Sequence, residues 1–118
     1  MYNEVMREGK TKTAEGRQME NAIKILIEKI AEDYVKRWGP SERSEKFASE
    51  LSYKINKKYI KVLKENGSCV WGFVVNTDDD SMFRKGDILK AAGWKTPARN
   101  AARGNVLDGN FDWVRWTG

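Results

Sequence analysis

Between Gly86 and Asn105 the chain gathers side chains that bind anions: Lys90, Trp94, Lys95, Arg99 and Arg103. Guanidinium groups meet phosphate oxygens in a fork and an indole stacks on a base. Cations interleaved with an aromatic therefore suit nucleic acid or a phosphate-bearing nucleotide. Arg99 and Arg103 are four apart, so a helical turn over 98–102 would set both on one face, just after Trp94 and Lys95. A second basic run, Lys54, Lys57, Lys58, Lys61 and Lys64, lies upstream, and from it Lys57 and Lys58 would extend the phosphate-binding surface. The competing account is structural. In it Trp94 anchors a core, Pro97 and the glycines shape a connection, the arginines bond carbonyls or pair with Asp87 and Asp108, and the lysines protect edge strands.

Other chemistry is missing its residues. The chain has no histidine, which removes imidazole-based nucleophile pairs and imidazole metal ligands together. A zinc site would need several Cys or His ligands, and Cys69 is alone, flanked by Val70 and Trp71 as a packing group would be. Asn76, Asp78, Asp80 and Asp87 fall at calcium-loop spacings, but Ser81 replaces the turn glycine and Arg84 and Lys85 sit inside the window. A solvated acidic turn fits better. Neither the Walker nor the dinucleotide glycine pattern is present, and spacing selects no catalytic pair among the acids. The expectation is a non-catalytic protein without metal or cofactor.

The net charge of +5 favours acidic partners. It is concentrated late: Arg84, Lys85, Lys90, Lys95, Arg99 and Arg103 face a single acid, Asp87, across 84–103. The longest apolar stretch, near 22–31, is broken by Lys24, Glu28 and Lys29, so no membrane span of about 20 apolar residues is expected. The polar start lacks a secretory signal's apolar core, and a lone cysteine suits a reducing compartment. Both point to the cytoplasm.

The elements that must position these groups are legible in the periodicity. Residues 1–15 read as a flexible tail, followed by a single domain over 16–118. Met19, Ile23, Leu26, Ile30 and Tyr34 repeat at helical intervals from Gly16 to Trp38, where Gly39-Pro40 stops the helix. A second helix begins after Ser41 as its cap, with Phe47, Leu51 and Ile55 at intervals of four, so that helices occupy 16–56. Over 58–118 a sheet follows. Tyr59 to Leu63 alternates, Asn66-Gly67 turns, and Val70 to Val75 returns as a hairpin. Phe83 to Ala92 fits a third strand, with a short helix from Gly86-Asp87 as the alternative, and a last strand lies near Phe111 to Trp116. Two N-terminal helices packed on a small antiparallel sheet of three to four strands make an α+β fold. The wide apolar face of the first helix allows a homodimer through residues 17–38.

Val70-Trp71-Gly72-Phe73-Val74-Val75, Gly86 to Ala98, Ala102-Arg103-Gly104-Asn105 and Trp116-Thr117-Gly118 carry a resemblance. Over about residues 58–118 the chain resembles small uncharacterised proteins of tailed bacteriophages. That implies a phage setting, hence work in a host cytoplasm on nucleic acid, host machinery or defence signals. Two functions are therefore expected. One is a module binding nucleic acid through Lys90, Trp94, Lys95, Arg99 and Arg103 with Lys57 and Lys58. The other is an anti-defence or host-takeover protein that inhibits a host protein or sequesters a signalling nucleotide.

Overall fold

The computed structural model describes residues 14–118. The expected tail thus lies outside the described residues, apart from Ala14 and Glu15, which are already helical. Helix α1 (Ala14–Trp38) buries Met19, Ala22, Ile23, Leu26, Ile30 and Tyr34, the stripe that the periodicity predicts. Glu15 in its first turn and Lys36 and Arg37 in its last complement the helix dipole. It ends where Gly39 turns left-handed, φ 84°, and donates its N–H to the Val35 carbonyl at 2.6 Å.

Helix α2 (Glu42–Ser49) starts as expected at Ser41, whose hydroxyl accepts from the Ser44 N–H while the Ser44 hydroxyl accepts from the Ser41 N–H. It stops seven residues, about two turns, before the expected boundary at residue 56. Ser52–Ile55 is strand β1, not helix. Leu51, Tyr53 and Ile55 satisfy a period of two as well as Leu51 and Ile55 satisfy a period of four. Pairing with the next strand decides in favour of the former.

Strands β2 (Tyr59–Lys64), β3 (Cys69–Val75) and β4 (Ile88–Lys90) complete a four-stranded antiparallel sheet in the order β1-β2-β3-β4. The fold is α+β, with the helices preceding the sheet. The β2–β3 turn centres on Glu65 and Asn66, both at φ 57°, and Gly67 N–H closes it on the Lys64 carbonyl at 3.2 Å. β4 is far shorter than the Phe83 to Ala92 strand expected, because Gly86 at φ 94° and a turn from Arg84 to Asp87 precede it.

No strand forms over Phe111 to Trp116, and no helical turn over Ala98 to Ala102. β4's outer side is taken by irregular chain: Ala98 donates to Lys90, Arg103 to Ile88, and Ile88 to Gly104. Instead of adding a strand, the C-terminal segment turns and docks on the helices. Trp116 meets Tyr34 and Phe47 edge-on with centroids 5.1 and 5.9 Å away, and its N–H donates to Asp33.

The sheet separates two apolar cores. Ile60, Val62, Trp71, Val74 and Ile88 pack against α1. Phe73, Val75, Leu89 and Phe83, with Tyr59, Val70 and Ala91 around them, pack on the other face. Most of α1's apolar stripe is thus covered within the chain. Ile25, Val35 and Trp38 are its large exposed apolar groups.

Candidate anion-binding face

Beside its buried apolar cluster, the sheet face turned away from α1 carries Lys54, Tyr59 and Lys61, and the pleat explains why. Tyr53 points to α1, where its hydroxyl donates to Glu20 at 2.6 Å, and burial with that carboxylate pushes the phenol up to about 12. Its neighbour Lys54 therefore points to the opposite face. The register sets Lys54 directly across from Lys61, and Lys61 across from Phe73. Like charges facing each other across two strands are destabilising. Lys61 offsets part of that cost by placing its Nζ 4.3 Å from the ring centroid of Trp94, which is 50% exposed.

Tyr59 lies two residues before Lys61 on the same face and organises a second group. Lys58 Nζ sits 5.5 Å from its ring centroid, and Arg99 Nη1 donates to its hydroxyl at 2.7 Å. The Arg99 guanidinium lies 5.0 Å from the Phe83 centroid and forks onto Asp80, with Nη1 to Oδ2 at 2.9 Å and Nη2 to Oδ1 at 2.8 Å. Asp80 Oδ1 also accepts from the N–H groups of Met82 and Phe83. The Arg99 fork, then these two N–H groups, hold the Asp80 carboxyl well below the usual carboxylate range. The same bond to Asp80 raises Arg99. The pair pins the 76–83 loop to the sheet.

A cavity of about 420 Å³ opens beside this clamp, lined by Lys57, Lys58, Thr77, Asp79, Ser81 and the Arg99–Asp80 pair. A larger open hollow of about 620 Å³ lies between α1 and residues 106–111. None of the cations predicted for binding lines it.

The structure brings Lys57, Lys58 and Arg99 together at one cavity, and Trp94 onto Lys61. It does not unite the rest. Arg99 and Arg103 share no helical face, since 98–104 is irregular, and Arg103 contributes its backbone N–H to the β4 edge at 2.7 Å from the Ile88 carbonyl. Lys90 alternates with Leu89 and so shares the α1 side of the sheet with Ile88. Lys95 is exposed in the loop after Trp94. Arg99 finds an acid other than the expected ones, Asp80, while Asp108 is taken by Arg84. Asp87 is bonded by Asn105, so the acids at calcium-loop spacing are drawn to different partners.

Sequence reasoning overlooked Tyr59 and Asp80 as organisers and left Lys61 in a solvated run. Tyr59 and Lys61 share a predicted strand face, a signal that was available. Asp80 is joined to Arg99 across 19 residues that run through β4 and the irregular segments on either side of it, which no periodicity reveals.

The Ala102-Arg103-Gly104-Asn105 segment holds the fold together through its last two residues. Asn105, 3% exposed, donates Nδ2 to Asp87 Oδ1 at 2.9 Å and to the Lys85 carbonyl at 3.1 Å. Its Oδ1 accepts from the N–H groups of Leu107 and Asp108. Gly104, at φ 141°, leaves no room for a Cβ against the Asn110 carbonyl. These clips, the sheet and the docked C-terminal segment spread the determinants of the fold along nearly the whole described chain. No curated protein and no solved structure matches the chain. A family model does, with a span of similar extent: from residue 2 to residue 116 the chain fits a family of unknown function, DUF7717, and it belongs to that family.

Proposed function

We propose that the protein is a non-catalytic binding protein that holds single-stranded nucleic acid on the sheet face opposite α1. The observation that carries this is the row across β1 and β2. Lys54 and Lys61 stand opposed on one face, with the half-exposed Trp94 indole against Lys61 and Lys58 against Tyr59. A like-charge pair is costly in the free protein and is relieved when a phosphate lies between the ammonium groups. Trp94 offers a stacking surface to an unpaired base, which a duplex keeps inside its stack. The phage resemblance agrees with a protein that acts on nucleic acid in a host cell.

The test is fluorescence anisotropy with a labelled single-stranded oligonucleotide across a salt series. The logarithm of the binding constant should fall linearly with the logarithm of salt concentration, and Lys54→Glu with Lys61→Glu should abolish binding while leaving the circular dichroism spectrum unchanged. Trp94→Ala should cost about 1–3 kcal/mol of binding. Affinity indifferent to salt and to the double reversal would refute the reading, and tight capture of a protein partner by the same variant would favour a host-directed inhibitor.

A further inference from the structure

The cavity beside the Arg99–Asp80 clamp has a mixed lining that a plain phosphate-backbone track does not need. Lys57 and Lys58 are exposed at its rim. Arg99 uses three N–H bonds on Asp80 and Tyr59, and a guanidinium has five donors, so two remain. Its side chain is 34% exposed and is fixed in place from two sides by the Phe83 ring and the Asp80 fork. Asp80, by contrast, is spent: its side chain is 2% exposed, and its oxygens take four hydrogen bonds. The open acid of the cavity is Asp79, exposed, with the Thr77 and Ser81 hydroxyls beside it.

Preformed ligand pockets run from about 300 to 1,000 Å³, so the cavity's size of about 420 Å³ admits one small ligand and not a folded domain. Ammonium groups with a rigid guanidinium at one place, and a carboxylate with hydroxyls at another, suit a molecule that is anionic at one end and hydrogen-bonding at the other. We propose that this cavity seats a single nucleotide unit, with its phosphate toward Lys57, Lys58 and the free edge of Arg99 and its sugar or base toward Asp79, Thr77 and Ser81. This rests on the reading of the sheet face as a nucleic-acid surface, of which the cavity is one end. The phosphate belongs either to a free nucleotide or to the terminus of a bound strand.

Isothermal titration of the full chain with thymidine 5′-monophosphate, with thymidine as the phosphate-free control, tests the assignment. The monophosphate should bind, and removing the phosphate, or Lys57→Ala with Lys58→Ala, should weaken binding about tenfold or more, since a charge-assisted hydrogen bond is worth roughly 1.5–3 kcal/mol. Lys54→Glu with Lys61→Glu, which abolishes the strand surface, should leave monophosphate binding in place. A 5′-phosphorylated oligonucleotide that competes with the monophosphate better than its unphosphorylated twin identifies a strand terminus as the source. Equal competition by the two, with monophosphate binding retained, identifies a free nucleotide. No heat with millimolar monophosphate, or equal binding by the Lys57/Lys58 variant, overturns the cavity assignment. Oligonucleotide binding that survives such a failure shows that the face itself was correctly read.

Discussion

Asn105 illustrates how one buried side chain can hold several turns of irregular backbone. Its amide nitrogen satisfies Asp87 and Lys85, and its amide oxygen satisfies two successive N–H groups, so both ends of the amide are used. Asn105→Asp would exchange the donor that faces Asp87 for a second carboxylate oxygen in a contact now 2.9 Å long. An unpaired buried charge costs about 3–5 kcal/mol, so the variant should be less stable by about 3 kcal/mol at neutral pH. Crowding raises the folded-state pKa of the new acid pair above its unfolded value. The penalty therefore applies above that raised pKa and shrinks as pH falls through it, when one carboxyl gains a proton and can donate. Urea midpoints of variant and parent, measured from pH 7 to pH 4, should converge; a constant gap would show that charge is not the cause.

Among the elements, α2 depends most on its ends. Eight residues are too few to persist as an isolated helix, so the capping box at Ser41 and Ser44 and the stacking of Phe47 on Tyr34, centroids 4.3 Å apart, hold it in place. Ser41→Ala should cost about 1 kcal/mol, and Ser41→Asp, which can still accept from the Ser44 N–H, should cost much less. Guanidinium denaturation of both variants checks this, and equal losses would mean that the hydroxyl is not acting as a cap. The strands depend on what lies beside them. β1 exists because β2 pairs with it and α1 receives Tyr53, although its four residues also fit the end of a helix.

At the scale of the whole molecule, the last residues act as a clasp. Trp116 lies among Tyr34, Trp38 and Phe47, and the Trp71 indole N–H donates to the Arg115 carbonyl at 2.7 Å, so this segment joins both helices to β3. Large aromatic truncations in a core cost about 3–5 kcal/mol, and Trp116 is only half-buried, so Trp116→Ala should cost about 2–3 kcal/mol. The urea midpoint should fall with the slope of the transition unchanged, as expected for one cooperative unit. A second, earlier transition would show that the helices and the sheet unfold separately.

The local pattern of residues determined α1, the cap of α2, the β2–β3 hairpin and the α+β class, because periods of 3.6 and 2, with Gly39-Pro40 and Asn66-Gly67 as punctuation, are properties of neighbouring residues. It also singled out Lys57, Lys58, Lys90, Trp94, Lys95, Arg99 and Arg103 as groups with the chemistry to meet an anion. Tertiary structure alone decided where those groups went. Leu51 to Ile55 fits two periods until a partner strand selects one, and the path of 92–118 is set by bonds such as Arg99 to Asp80, Asn105 to Asp87 and Trp116 to Asp33, which join residues far apart in the chain. Side-chain chemistry is written in each residue, whereas the company a side chain keeps in an irregular segment depends on closing loops against a core that must already exist.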